Sequence, residues 1–348
     1  MNRVSGLFLE ITSNCNKRCT YCYNDKILDS KIEMSLDNIF KIVSELKKHN
    51  IMNVTISGGE PFLHPKIYDV LLLLEEVGIE ITIISNGTCF IKENIYILRR
   101  FQPRLQITFD GYDSKSHDAT RGKGNFDLLL NGLKNARNEG FVGFVGARVN
   151  LHKYNINYVN EILDQITKLN INSINLSLLH DANNNSAFDA YLKKDEYLLY
   201  PNAMKILRDS REKDEINYDF DNPDIGCPFN DQENINCGIK ISPTGDVYPC
   251  QLFHDDLFII GNIFEDSLDY IINGEKMNQF LKKIGNRKIT IEQCKLCGYK
   301  FFCGCGCPAQ AYLENKTLFS ISQPCKLRKD HFNNSIRMLL KNKEERYE

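Results

Sequence analysis

Short apolar runs alternate along the chain with longer segments in which apolar residues return every three or four positions, the pattern of strands alternating with amphipathic helices. Leu7 to Ile11 is the first run, and Ser35 then caps a helix whose apolar positions are Leu36, Ile39, Phe40, Val43 and Leu46. Val54 to Ile56 reads as the second strand, Gly58-Gly59-Glu60-Pro61 as a turn, and Lys66 to Val77 as a helix ended by Gly78. Glu80 to Ile84, the turn Ser85-Asn86-Gly87 and a helix from Ile91 to Arg100 make the third unit. Leu105 to Phe109 opens the fourth, closed by Asp110-Gly111, and Phe126, Leu129, Leu130, Leu133 and Ala136 stripe its helix before Gly140. Val142 to Val149 and Ser173 to Leu178 are the fifth and sixth strands, with a helix striped by Val159, Ile162, Leu163, Ile166 and Leu169 between them. A sixth helix, roughly Glu196 to Arg211, closes the series.

Such alternation implies right-handed crossovers and a parallel sheet, so the expected fold is α/β, a partial (β/α)6 barrel two units short of the closed eightfold one. Parallel barrels place their sites at the C-terminal ends of the strands. There the chain carries its cysteine loop, Glu60, Ser85 and Asn86, Asp110, Asn150, and His180 with Asp181. For Asn150 and His180 the ordinary polarity of a surface loop is an equally good explanation. Residues 212–225 turn charged and polar and read as a bridge between the barrel, residues 1–211, and a smaller unit, residues 226–330, with a charged tail over 331–348.

Composition narrows the functional classes. A net charge of -2 over 348 residues lacks the basic footprint of a nucleic-acid binder. Apolar runs such as Val70 to Leu74 are far too short to span a bilayer, and no signal-peptide core precedes the first strand, so a cytoplasmic protein without a membrane partner is expected. The chain has 13 cysteines, clustered rather than spread, and in a reducing compartment that usage points to metal or catalysis.

Cys15, Cys19 and Cys22 follow the first strand with spacing C-x3-C-x2-C, and no fourth cysteine comes before Cys89. A four-iron cluster normally takes one cysteine per iron, so three ligands leave one iron open to a cofactor or substrate. On this loop alone a zinc knuckle completed by a distant ligand competes with that reading. Past the bridge come Cys227, Cys237 and Cys250, then Cys294, Cys297, Cys303, Cys307 and Cys325. Eight such residues suffice for two complete four-cysteine clusters. Cys294-x2-Cys297 by itself would equally serve as half a zinc site.

The loop C-x3-C-x-Tyr-C after the first strand, with Gly-Gly-Glu-Pro after the second, resembles the radical S-adenosylmethionine (SAM) superfamily. The later cysteines, with Gly245-Asp246-Val247-Tyr248-Pro249-Cys250 before the second group, resemble the iron–sulfur SPASM domain that follows many such enzymes. The resemblance implies that Cys15, Cys19 and Cys22 ligate a [4Fe-4S] cluster whose open iron binds SAM, and that Tyr21 packs near the adenine. Gly58, Gly59 and Glu60 would receive the methionine ammonium, Ser85 and Asn86 the nucleoside or methionine end, and Arg121 the cofactor carboxylate or, equally, a surface ion pair. It further implies two auxiliary [4Fe-4S] clusters, one on Cys227, Cys237, Cys250 and Cys307, the other on Cys294, Cys297, Cys303 and Cys325. The Cys227 and Cys237 pairing departs most from the family spacing. Cys89 and Cys305 are left unassigned: Cys89 is most simply a small buried residue, and Cys305, between two of the implied ligands, is an alternative to Cys303 or Cys307 in the ligand set.

By the same resemblance the reaction is oxidation of an unactivated C–H bond after reductive cleavage of SAM to a 5'-deoxyadenosyl radical. The expected substrate is a ribosomally made peptide, modified or crosslinked, and the electron source a low-potential donor such as flavodoxin or ferredoxin. Alternatives are oxidation of a sulfatase Cys or Ser side chain, oxidation of a small alcohol or amino sugar, and a zinc or electron-transfer protein with no enzymatic role. In the sulfatase-maturing branch an aspartate follows the cysteine matching Cys250, and here that residue is Gln251. Asp110, Asp181, His254 and Asp255 are the candidate bases, each more readily explained as structural or solvated. The first strand begins almost at once, so leader recognition is expected at the barrel rim, the tail or a separate protein.

Overall fold

The computed structural model describes residues 3–179, 199, 201–203, 205–206, 217–218, 236–322, 325–326, 328–330, 332–333 and 336–337. Its first half follows the strand and helix alternation closely. The strands are β1 (Arg3–Thr12), β2 (Asn53–Gly58), β3 (Glu80–Ser85), β4 (Arg104–Thr108), β5 (Val145–Leu151) and β6 (Ser173–Leu178), each parallel to the next. Between them run α1 (Leu36–Lys48), α2 (Ile67–Glu76), α3 (Lys92–Phe101), α4 (Ser114–Arg121), α5 (Asn125–Asn138) and α6 (Val159–Lys168). Ser35 caps α1 by accepting from the Asn38 amide, and Gly78, at φ +74°, takes the left-handed turn that ends the second unit.

The helical stripes face the sheet. On α1, Ile39, Val43 and Leu46 are buried with Ile42, whereas Phe40 is 61% exposed, so the apolar stripe is narrower than the periodicity predicts. Each buried aliphatic side chain contributes about 1.5–3 kcal/mol of transfer free energy. The fourth unit holds a helix the apolar pattern does not reveal: α4 reads Ser-Lys-Ser-His-Asp-Ala-Thr-Arg and is started by a capping box between Asp113 and Ser116. Residues 199, 201–203 and 205–206 are helical, 199 as a single 3-10 position, and the rest of the expected sixth helix lies outside the described residues. Two residues of the expected bridge, Asn217 and Tyr218, pair with β6 as β7.

The cysteine-rich part does not stand apart from the sheet. β8 (Asn236–Ile241) lies parallel to β1, with Leu7 opposite Ile239, and β9 (Asp246–Tyr248) and β10 (Gly261–Asn262) continue antiparallel. The resulting order is β10-β9-β8-β1-β2-β3-β4-β5-β6-β7, a mixed ten-stranded sheet whose first-strand edge is covered by the C-terminal chain. Helices α7 (Leu268–Asn273), α8 (Glu275–Thr290), α9 (Glu292–Lys295), α10 (Lys300–Cys303) and α11 (Pro308–Asn315) follow. Among the described residues no helix is long and apolar enough to cross a membrane.

Candidate active site

Where β1 ends, the chain enters the loop of Cys15, Cys19 and Cys22, and three neighbouring segments hold it. The Gly59 amide donates to the Thr12 carbonyl at 2.8 Å, and the Glu60 amide to the Asn14 carbonyl at 2.8 Å. A Cβ on Gly59 would stand 2.2 Å from the Asn14 oxygen, and one on Gly58, whose φ is +122°, 2.2 Å from that of Thr12. Both positions therefore demand glycine. From the third strand end, Asn86 Nδ2 donates to Asn16 Oδ1 at 3.0 Å, and Asn16 Nδ2 in turn donates to Thr88 Oγ1 at 2.9 Å and to Cys89 Sγ at 3.3 Å. At the other end of the loop α4 supplies the Thr120 carbonyl, 3.0 Å from the Thr20 amide, and Arg121 Nη1, 3.2 Å from Cys19 Sγ. Burial raises the Cys15 thiol and pushes Cys22 up to about 12, so both are neutral until a metal displaces their protons.

Glu60 is fully buried. Its carboxylate accepts from Ser85 Oγ at 2.8 Å, the Asn86 amide at 2.9 Å and the Phe62 amide at 3.4 Å, and among the described residues it forms no ion pair with a basic side chain. Burial pushes its carboxyl up to about 7, against the pull of these donors. Ser85 through its hydroxyl and Asn86 through its backbone amide thus orient Glu60, and the Asn86 side chain is turned to Asn16 and Thr88.

Asp110 is the centre of a second buried network. Its carboxylate accepts from the Asn150 amide at 3.0 Å, from Asn150 Nδ2 at 3.1 Å and from the Tyr21 hydroxyl, and it pairs with Arg121 Nε at 3.4 Å. The Arg121 guanidinium lies over the Tyr21 ring at 5.6 Å, and burial holds the Tyr21 hydroxyl well above its usual range. Arg121 is therefore a buried bridge between Asp110 and Cys19 rather than a surface ion pair. Asn150 belongs to the site and is more than loop polarity. Asn155 Nδ2 anchors the Asp110 carbonyl at 2.9 Å, and His117 Nδ1 accepts from the Asp110 amide at 3.2 Å.

The other candidate bases fall elsewhere. His254 stacks on Tyr23 at 4.3 Å and accepts from buried Lys240 Nζ at 3.0 Å; burial and the Lys240 charge hold it neutral, down to about 2. Asp255 is exposed and accepts from Tyr312. His180 and Asp181 lie outside the described residues.

Two family models match this chain: the radical SAM superfamily over residues 9–166, and the SPASM iron–sulfur cluster-binding domain over residues 233–298. The chain belongs to the radical SAM superfamily and carries a SPASM domain. As a radical SAM enzyme it binds SAM, and its SPASM domain is an iron–sulfur cluster-binding domain. It is 24% identical over 319 residues to the antilisterial bacteriocin subtilosin biosynthesis protein AlbA of Bacillus subtilis, covering 88% of this chain and 68% of that protein. The fold is shared with anSMEcpe bound to AdoMet and the Cp18Cys peptide, at a TM-score of 0.77 and 17% identity over 97% of this chain and 98% of that one. Streptococcus suis SuiB bound to the precursor peptide SuiA superposes at a TM-score of 0.72 and 17% identity, over 93% of this chain and 76% of SuiB.

In the SPASM region the cysteines divide into two groups. Cys294, Cys297, Cys303, Cys305 and Cys325 line one pocket with Arg328. Cys307 instead sits in the main apolar core, with Cys250 packed against it. Cys237 lies on β8 with its side chain outside the described set, and Cys227 lies outside the described residues. Cys89 is buried in the main core, as expected of a small apolar side chain. Among the described residues no three His, Cys, Asp or Glu side chains converge to single-ion distance. A four-iron cluster takes its cysteines on separate irons, which holds them further apart than ligands of one ion. Asn16, Asn155, Lys240 and Arg287 are site or scaffold residues that no spacing announces; Asn16, inside the cysteine loop, is the one whose position is a signal.

Proposed function

We propose that this radical SAM enzyme oxidatively modifies or crosslinks a ribosomally made peptide. The observation that carries the SAM-dependent chemistry is Glu60: a buried carboxylate with donors on both oxygens, no ion pair with a basic side chain among the described residues and a backbone bond to Asn14, next to Cys15. A carboxylate oriented in this way is an acceptor that fits the ammonium of an amino acid, and the three thiols of the adjoining loop fit a cluster with one open iron. When bound, the cluster and SAM supply a 5'-deoxyadenosyl radical that takes a hydrogen atom from the substrate.

The chain's own residues hold this chemistry in place. Cys15, Cys19 and Cys22 would ligate the catalytic [4Fe-4S] cluster, Glu60 would receive the ammonium with Ser85 and Asn86 fixing its orientation, and Gly58 and Gly59 let that turn approach the loop. Tyr21, tied through its hydroxyl to Asp110, presents its ring beside the loop for the adenine, while Arg121 sets the position of Cys19. Cys227, Cys237, Cys250 and Cys307 would hold a proximal auxiliary [4Fe-4S] cluster, and Cys294, Cys297, Cys303 and Cys325 a distal one. The different surroundings of Cys307 and Cys303 support that division. A domain organisation of barrel (1–211), bridge (212–225), SPASM unit (226–330) and tail (331–348), a cytoplasmic setting and a flavodoxin- or ferredoxin-like donor complete the reading.

The peptide class rests on the similarity to AlbA and to structures solved with bound peptides. The test is anaerobic reconstitution with SAM, dithionite and synthetic peptides encoded beside the gene. Release of 5'-deoxyadenosine that disappears in Cys22→Ala, with a peptide product lacking two hydrogens, is the expected result. A protein that holds zinc and no iron would overturn the reading, and turnover of an alcohol or amino sugar but no peptide would replace its substrate.

A further inference from the structure

Three cysteines alternate with glycine in Cys303-Gly304-Cys305-Gly306-Cys307. Cys303 and Cys305 line the distal pocket, whereas Cys307 joins the main core. Cys305 is only 2% exposed, hydrogen-bonds to the Cys294 thiol, and packs with Ile291 and Cys294 in a small apolar cluster separate from the main one. The pocket therefore holds five thiols, and a four-iron cluster takes four.

The backbone at Cys305 adds a second observation. Gly304, Cys305 and Gly306 have φ of +60°, +68° and +76°, three successive left-handed residues. Glycine adopts this conformation freely, and a side chain there costs about 1–2 kcal/mol. The loop is held in that form by Arg287, which is fully buried and donates to five carbonyls, those of Gly304 (3.2 Å), Cys305 (3.1 Å), Gly306 (2.6 Å), Leu318 (2.7 Å) and Ser320 (3.0 Å). A conformation suited to glycine thus carries a thiol into a cluster pocket.

We propose that Cys305 is a ligand of the distal auxiliary cluster that exchanges with Cys303. This rests on the reading that the pocket holds a [4Fe-4S] cluster. In the exchange one iron–sulfur bond to Cys303 breaks and one to Cys305 forms, the proton leaving Cys305 passes to Cys303, and no electron is transferred. The exchange is assigned to Cys303 and not to Cys307 because Cys305 lines the same pocket as Cys303, whereas Cys307 belongs to the main core.

The test uses the full chain reconstituted anaerobically as wild type, C303A, C305A and C303A/C305A, read by iron and sulfide content and by electron paramagnetic resonance of the reduced clusters. Both single variants are expected to keep the wild-type iron content and distal-cluster signal, and the double variant to lose that iron or shift that signal. SAM binding, a property of the barrel, establishes that the double variant is folded. A C303A protein that already shows the loss or shift of the double variant overturns the exchange. A wild-type protein with iron for only two clusters overturns the distal site itself, a failure distinguishable from the first.

Discussion

Replacing Glu60 by glutamine keeps the shape of the side chain and its acceptor for the Asn86 amide while removing the charge. A charge-assisted hydrogen bond contributes about 1.5–3 kcal/mol, so Glu60→Gln should weaken SAM binding by about 10- to 100-fold at pH 8. The burial that brings the carboxyl up to about 7 makes this loss depend on pH. At pH 8 the wild-type group is already ionised. Below 7 it must shed a proton before it can receive an ammonium, and its advantage over glutamine shrinks about tenfold for each further pH unit. Titration of the SAM amino group affects both proteins alike and cancels in the ratio of their dissociation constants. Calorimetry on the cluster-loaded, oxidised proteins at pH 6, 7 and 8 measures that ratio without turnover. A ratio below about two at pH 8, or one unchanged between pH 6 and 8, would refute the assignment of Glu60 as the ammonium partner.

The same group carries a stability signature: its folded pKa of about 7 lies above the ordinary 4.5, so the stability from the neutral form is complete below 4.5 and is lost as pH rises through 7, a difference of about 3 kcal/mol. In thermal melts without SAM, Glu60→Gln should therefore be more stable than wild type at pH 8 and show no such advantage at pH 5. Arg121→Ala leaves the Asp110 carboxylate buried without its cation and should cost about 3–5 kcal/mol in denaturant unfolding; a loss under about 1 kcal/mol would show the pair to be solvated. Arg287→Met strips the donor from five carbonyls and should lower stability by more than about 3 kcal/mol and release the distal cluster's iron, with SAM affinity within about twofold of wild type. Gly59→Ala drives a Cβ to 2.2 Å from the Asn14 oxygen, so SAM binding should fall at least about tenfold by equilibrium dialysis, and unchanged binding would show that the loop yields.

What the sequence made legible is what it encodes over short distances. The stripe of Val159, Ile162, Leu163 and Ile166 buries as its period predicts, and the Gly58-Gly59-Glu60 turn falls at a strand end as its composition predicts. α4 escaped because its buried face consists of Ser116, His117, Thr120 and Arg121: the Ser116 and Thr120 hydroxyls bond within the cap and the helix, and His117 Nδ1 and Arg121 turn to the site, so no apolar stripe marks it. β8 escaped because its partner, β1, lies more than two hundred residues earlier, and the cysteines around it mask a strand only six residues long. The same limit applies to charge. A motif identifies Glu60 and Arg121 as ionic but says nothing of their partners, and the partners decide what each can bind. Arg121 already has Asp110 and Cys19 within reach, so its positive charge is largely answered inside the protein. Glu60 has three donors and, among the described residues, no ion pair with a basic side chain. Among the described residues of the site Glu60 is thus the carboxylate without an ion pair, which is why the proposed ammonium contact is assigned to it and not to Asp110.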